Sequence, residues 1–437
     1  MGKSLNVFFH DKHVGTLAEM PDKRIAFQYS KDWLSNGFSI SPLSLPLRDE
    51  VFVPPQKSLD IFHGLYGVFS DSLPDSWGEL LLNRYLASKG IDVSTLSILD
   101  RLAYVGASGM GALEYRPAEK SDFDPNKNNL DFDALSMECS AILSSKDSDQ
   151  LHLLYELAGP SGGARPKLLL NENGTDYIVK FPANTDPSIS GKREYDYSIC
   201  AKKCGINMTK TSLIPSKICK GYFKTERFDR QKGSKIHSLT MAGLLETDFR
   251  HPTCDYSTYM KAIDIITKGN KEDKEQMFKI MCFNVMTHNL DDHTKNFSFI
   301  YTEKKGWRLA PGYDLTYSTT YYGEQTTSVN GKGKNITDSD MISVGTNTGL
   351  PKTFCEKTIQ DIKKETASLK GYLSLQNDAK KRHVSWQERV KEIEENGIKE
   401  NYNDFKTKDE VSAKYTATQN ATLNKKISKS DPNLSGT

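Results

Sequence analysis

The sequence predicts an α+β chain with a strand-rich beginning, a second strand-bearing lobe and a larger helical lobe, and three observations lead there. At 437 residues the chain is too long for one ordinary core, so two or three domains are expected. Its opening alternates apolar and polar side chains with the period of strands, whereas after about Thr240 the apolar residues recur at helical spacing. Between these regimes Asn173-Gly174 separates two apolar runs, the pattern of a tight hairpin.

Taken in order, Leu5–Phe9, Val14–Leu17 and Arg24–Tyr29 read as strands. SPLSLPL at Ser41–Leu47 reads as extended or turn structure, because each proline restricts the residue before it. The stretch after Asp71, SLPDSWGELLLNRYLASKG, reads as a helix stopped by Gly90. The glycine cluster Gly106-Ala-Ser-Gly-Met-Gly111 lacks the order and the following helix of a dinucleotide-binding turn, so a turn between strand and loop is expected. Ala118–Asn129, rich in Asp, Lys, Asn and Pro, has the composition of an exposed linker and marks a domain boundary.

The predicted divisions are an N-terminal subdomain over 1–117, a linker and helix over 118–150, a strand-bearing lobe over 151–232, a helical lobe over 233–400 and a disordered tail over 401–437. In the second lobe Lys167–Asn171 and Tyr177–Phe181 form the hairpin, Arg193–Gly205 a helix, and Lys220–Phe228 a further strand. In the third, Gln276–Thr287 is apolar nearly all round and therefore belongs at a domain centre.

Charge narrows the function classes. Lys plus Arg number 58 and Asp plus Glu 56, so the formal charge of +2 gives no global attraction to nucleic acid or anionic membrane. No apolar run approaches the roughly 20 residues of a spanning helix, and Met1–Leu17 reads as a strand rather than an export signal. A cytoplasmic location with seven reduced cysteines is expected; Cys200 and Cys204 share a helix face as packing residues, with no second pair at metal-ligand spacing.

The chemistry concentrates in His288-Asn-Leu-Asp-Asp-His-Thr-Lys-Asn296, followed by FSFIY, a short break, WRLAPGY and Asp314. A buried helix ends in a polar loop offering Asp291, His293 and Asn296, and a hairpin of two strands then delivers Asp314. Phosphoryl transfer needs such a set: one carboxylate to orient the attacking hydroxyl, and an Asn and a second carboxylate to hold Mg²⁺ against the phosphates. Upstream, the glycine-rich run Gly159–Lys167, with Gly162 and Gly163 at its centre, suits the approach of backbone N–H groups to phosphates. Lys180 ends the following hairpin, and Glu194 on the next helix is placed to hold it. Loop, Lys, Glu, then Asp/Asn/Asp is the order a kinase uses.

These motifs resemble a known family. ERFDR at Glu226–Arg230, DDHTKNF at Asp291–Phe297 and GYDL at Gly312–Leu315 look like motifs of the HipA family of bacterial toxin–antitoxin serine/threonine kinases. LSLPL at Leu43–Leu47, LPDSWG at Leu73–Gly78 and VGASGMGALEY at Val105–Tyr115 resemble that family's N-terminal region, so the likeness runs over roughly residues 5–380. It implies a two-lobed protein-kinase-like fold with an extra N-terminal α/β subdomain. It also implies ATP- and Mg²⁺-dependent phosphorylation of a protein serine or threonine, with aminoacyl-tRNA synthetases as a target class. The implied partners are a HipB-like helix-turn-helix antitoxin and, through it, operator DNA. By the same resemblance Asp291 is the catalytic base, Asn296 and Asp314 the Mg²⁺ ligands, and Lys180 the phosphate-contacting lysine. Glu226 and Phe228 fall in the strand whose backbone meets the adenine, and His293 is structural or close to the phosphates.

Two positions depart from the pattern. Asp292 stands where the family has a loop glycine and is expected at the surface, and Pro160 occupies the place of a regulatory serine, with Ser161 one residue along. Two other readings stay open: a kinase of lipids or small molecules, which shares D-x-H-x-x-N, and a catalytically inactive module that binds antitoxin or DNA. The joint presence of Lys180, Asp291, Asn296 and Asp314 speaks against the second.

Overall fold

The computed structural model describes residues 3–118, 130–159, 163–251, 253–320 and 323–372. The expected tail from 401, all of the linker but Ala118, and Pro160, Ser161 and Gly162 lie outside them.

The N-terminal strands form where the alternation places them: β1 (Ser4–Phe9), β2 (Lys12–Glu19) and β3 (Ile25–Tyr29). With β4 (Val51–Phe52) and β5 (Leu113–Arg116) they make an antiparallel sheet of order β4-β3-β2-β1-β5. Leu5, Val7 and Phe9 point inward on β1 while Ser4 and Asn6 face water, the alternation of a sheet with one buried face. Helices α1 (Lys31–Asn36), α2 (Ser58–Phe62), α3 (Gly67–Ser70), α4 (Ser76–Ser88) and α5 (Ile98–Val105) fill the excursion between β3 and β5. The helix expected straight after Asp71 begins only at Ser76, because Pro74 disfavours helical geometry at Leu73. The Gly106 turn likewise follows a helix, α5, rather than a strand, and Gly106 ends it at φ +52°.

The second lobe carries α6 (Phe132–Leu143), α7 (Leu151–Ala158), β6 (Lys167–Glu172), β7 (Thr175–Lys180), α8 (Ser190–Lys203), β8 (Thr211–Ile214) and β9 (Tyr222–Glu226), with sheet order β6-β7-β9-β8. Asn173 and Gly174 both take positive φ, the geometry of a two-residue hairpin turn, which sets Lys167 opposite Lys180. This lobe's core takes in Trp77 and Leu81 of α4 together with Leu135, Leu154, Leu168 and Val179. A helix of the first 117 residues thus completes the core of the second lobe.

A two-residue ladder, β10 (Arg230–Gln231) with β11 (Ser234–Lys235), leads into the third lobe. There β12 (His237–Thr240), β13 (Ser298–Thr302) and β14 (Gly306–Leu309) form a small sheet beside α9 (Met241–Leu245), α10 (Tyr256–Ile266), α11 (Lys271–Met286), α12 (Asp338–Asn347) and α13 (Lys352–Thr366). The α11 residues Met277, Phe278, Ile280, Met281 and Phe283 are all buried, as an all-round apolar helix requires.

Two close contacts join the N-terminal region to the rest. At Gly67 and Gly243 the backbones of α3 and α9 meet so tightly that a Cβ on Gly67 would lie 2.5 Å from the Gly243 Cα. The second is an ionic clasp. Asp229 is wholly buried and accepts from Arg227 Nε (2.9 Å) and Nη2 (2.7 Å), Arg230 Nη1 (2.7 Å) and the Gly111 N–H (2.8 Å). Arg230 in turn donates to the Gly109 and Gly111 carbonyls, both at 3.0 Å, so the ERFDR motif grips the glycine turn of the N-terminal region.

Removing Asp229 leaves two guanidinium groups in the interior without their counter-charge. Asp229→Ala is expected to lower stability by about 3–5 kcal/mol, read from the midpoint of a urea titration; a loss under about 1 kcal/mol would show that the clasp is not what holds the turn.

Candidate active site

The site is assembled at the mouth between the second and third lobes. α11 ends at Thr287, and His288 at φ +58° turns the chain out of the helix. Asn289 then ties the loop down: its side chain donates to Asn284 Oδ1 (2.9 Å) and to the Asp314 carbonyl (3.3 Å), and accepts from Ser318 Oγ (2.7 Å). The Asp291 N–H donates to the same Ser318 Oγ at 2.9 Å. Asn296 donates its amide to the Asp291 carbonyl at 2.5 Å, so its side-chain oxygen is the end suited to a cation.

Asp314 arrives from β14 through Gly312, whose N–H donates to the Asn207 carbonyl at 2.8 Å, and Tyr313, whose hydroxyl donates to the Lys295 carbonyl at 2.7 Å. Asp314 itself sits at φ +53°, a conformation uncommon outside glycine and frequent at functional loops. Its carboxylate accepts from Lys180 Nζ, which also donates to Glu194 Oε1 at 2.7 Å. Burial would push the Lys180 ammonium down, but the two carboxylates outweigh it and raise its pKa. Asp314 moves the other way, its desolvation overcome by Lys180 and then Lys167.

Lys180, Glu194, Asp291, His293, Asn296 and Asp314 are thus brought to one cleft. His293 Nε2 lies 3.9 Å from Asp291 Oδ1; its Nδ1 is buried with no hydrogen-bond partner among the described residues, and burial holds its pKa below the ordinary value. Gly163 (φ +87°), at the centre of the glycine-rich run, gives its N–H to Asp75. Glu226 ends β9, and its N–H is taken by the Lys210 carbonyl; its carboxylate pairs with Lys210 rather than with the other site residues. Phe228 lies in the turn after β9, not within the strand, and stacks on Tyr313 at 5.3 Å.

Asp292 corrects the sequence reading. It is wholly buried rather than at the surface, accepting from the Tyr256 hydroxyl (2.7 Å) and the Thr327 N–H (3.0 Å). Tyr256 accepts in turn from Asn284 Nδ2 at 3.0 Å. The side chain anchors the loop from below, and desolvation pushes its pKa up to about 7 despite those hydrogen bonds.

Three further residues reach the cleft that the sequence did not single out. Lys167 is buried opposite Lys180, and desolvation, followed by the Lys180 charge, brings its pKa down to about 8. Its position follows from the Asn173-Gly174 turn, which fixes the pairing 167 with 180. Asp75 and Lys295 meet at 2.6 Å across 220 residues of sequence, a contact no local pattern signals.

Comparison with known proteins bears on the family and the fold. The HipA N-terminal domain model matches residues 5–116 and the HipA-like C-terminal domain model residues 160–369. A Sinorhizobium fredii protein named "Putative kinase Y4dM" is 24% identical over 343 residues, spanning 75% of this chain and 80% of its own. A second from that organism, "Putative kinase Y4mE", is 24% identical over 375 residues, covering 78% and 83%. Among solved structures, HipA from the Shewanella oneidensis MR-1 toxin–antitoxin system, in complex with HipB and operator DNA, aligns over 82% of this chain and 88% of its own with a TM-score of 0.61 at 18% identity, which is a likeness of fold.

The Asp292 anchor yields a paired expectation. Asp292→Gly leaves the Tyr256 hydroxyl proton and the Thr327 N–H buried without an acceptor, at a cost of about 2–4 kcal/mol; urea melts unchanged by the substitution would place Asp292 outside the fold's framework. Because burial raises this pKa, the folded state disfavours the ionised form, so stability from this group falls as pH climbs from about 4 to about 7. Asp292→Asn should flatten that fall in melts taken across the same window.

Proposed function

The chain belongs to the HipA family, and we propose that it is an ATP- and Mg²⁺-dependent serine/threonine protein kinase acting as the toxin of a toxin–antitoxin pair. The observation that carries the reading is Lys180 held between Glu194 and Asp314, in one cleft with the loop that presents Asp291 and Asn296. A lysine tethered by a helix glutamate and facing a metal-type aspartate is the arrangement that phosphoryl transfer uses.

The residues fit a Mg²⁺–nucleotide. Asn296 and Asp314 supply two oxygen donors, fewer than an all-protein cage, and Mg²⁺ ordinarily completes its shell from phosphates and water. Among the described residues no group of three or more His, Cys, Asp or Glu is gathered for a metal. When bound, the ion neutralises charge developing on the transferred phosphoryl group.

The protein's own residues divide the rest. Lys180 and Lys167 meet the phosphates, with Glu194 keeping the first in place. Asp291, its backbone fixed by Ser318 and Asn296, orients the substrate hydroxyl and receives its proton. The serine or threonine oxygen bonds to the γ-phosphorus as the bond to the bridging oxygen breaks, and ADP leaves. The substrate we propose is a translation component of the aminoacyl-tRNA synthetase class. The partner is a HipB-like helix-turn-helix antitoxin carrying the pair to operator DNA, as in the Shewanella complex. Among the described residues no helix is long and apolar enough to cross a membrane.

Three measurements test this. Transfer of γ-phosphate label into protein in a cell extract should fall by about 10³-fold or more in Asp291→Asn with the fold intact; undiminished transfer would mean another group positions the hydroxyl, and wild-type protein that labels no protein would overturn the protein-kinase reading. Calorimetry should show Mg·ATP affinity clearly reduced in Asp314→Ala; equal affinity would remove Asp314 from the metal. A polyphosphate favours the charged form of Lys167, so nucleotide affinity should be full below pH about 8 and decline above it. Lys167→Met should abolish that decline, and an unchanged alkaline limb would assign it to another group.

A further inference from the structure

The N-cap of α4 is anomalous. Asp75 stands at the capping position but makes no side-chain hydrogen bond to its own helix. Asp, Asn, Ser and Thr normally cap by accepting from the first-turn N–H groups, as Asp131 does for α6 from Asp133 and Ala134. Asp75 instead sends one oxygen to each side of the cleft. Oδ2 accepts from the Gly163 N–H at 2.9 Å, within the glycine-rich run, and Oδ1 accepts from Lys295 Nζ at 2.6 Å, one residue before Asn296. The Trp77 N–H adds a longer contact to the Gly163 carbonyl at 3.4 Å, so the start of α4 holds that glycine through both of its backbone groups.

The other end of the strut is equally fixed. The Lys295 ammonium lies 4.4 Å from the Phe249 ring centroid, its side chain is mostly buried, and its carbonyl receives the Tyr313 hydroxyl beside Asp314. Trp77, Leu81, Leu82 and Leu86 bury α4 independently of Asp75, so the helix does not need this carboxylate to stay docked.

We propose that Asp75 is a positioning residue for phosphoryl transfer: a single carboxylate from the N-terminal region that sets Gly163 and the catalytic loop at a fixed separation. The inference rests on the kinase reading for its effect on rate, while the strut itself is testable without it. Its two arms separate by chemistry. Asp75→Asn retains an oxygen acceptor for Gly163 but loses the charge that holds Lys295. Asp75→Ala loses both arms, and Lys295→Met loses only the second.

The experiment is hydrogen exchange on the full chain, followed by steady-state phosphotransfer, with Asp131→Ala as a control that removes a helix cap remote from the cleft. In Asp75→Ala, exchange should accelerate in the segments around Gly163 and around Lys295. In Asp75→Asn and Lys295→Met it should accelerate only around Lys295, and in Asp131→Ala at neither. In turnover, Asp75→Ala should raise the KM for Mg·ATP about tenfold and lower kcat, whereas Asp75→Asn and Lys295→Met should lower kcat alike with KM nearly kept, and their double variant should be no worse than either. Exchange in Asp75→Ala no different from Asp131→Ala would overturn the strut. Accelerated exchange with unchanged kcat and KM in an active kinase would overturn the positioning role. Accelerated exchange in a wild-type background that transfers no phosphate would refute the kinase reading, and the positioning role with it, while leaving the strut standing.

Discussion

The cleft depends on one buried ammonium. Lys180 stands at the end of β7 where its charge is largely removed from water, and a lone charge there would be expensive to bury. Glu194 from α8 and Asp314 from the third lobe meet it from two directions and fix its position, while Lys180 is raised by the two carboxylates and Asp314 lowered by the lysine. The relation between the lobes is therefore set partly by electrostatics rather than by apolar packing alone. The ammonium has three N–H donors and the two carboxylates take two of them, which leaves one for an anion entering the cleft.

Below the loop and along the seam with the N-terminal region runs a second kind of device, the carboxylate held mainly by hydrogen bonds. Asp71 accepts from the Thr240 N–H (2.7 Å) and hydroxyl (2.8 Å), and Glu246 accepts from the Gly67 N–H with both oxygens at 3.1 Å. Burial pushes Asp71 up to about 6 and Glu246 to about 7, the same direction as Asp292. These acids do not act as solvated charges. They serve as acceptors for backbone N–H groups that would otherwise be buried unpaired where the chain segments meet.

Much of this was legible in the sequence where a pattern is local. The hairpin at Asn173-Gly174, the all-round apolar α11 and the loop after it follow from composition and spacing, and the turn type even dictates that Lys167 opposes Lys180. Asp292 was misread because a loop has no periodicity to say which of two adjacent acids turns inward; that choice belongs to Tyr256 and Thr327, 36 and 35 residues away. Asp75 was invisible for the same reason, since its partners lie 88 and 220 residues downstream. The domain reading assigned α4 by sequence neighbourhood, whereas its apolar face is completed by side chains that follow the linker.

That sharing of cores has a consequence for synthesis on the ribosome. When the first 117 residues have emerged, Trp77 and Leu81 still lack Leu168 and Val179, and the cluster around Phe27 and Phe69 still lacks Leu239, Met241 and Leu244. The nascent N-terminal region therefore presents unmatched apolar surface until more than half the chain has been made. Such surface is what general chaperones bind and what aggregates when they do not. A fragment ending at the linker would then be a poor soluble unit, although its sheet is complete.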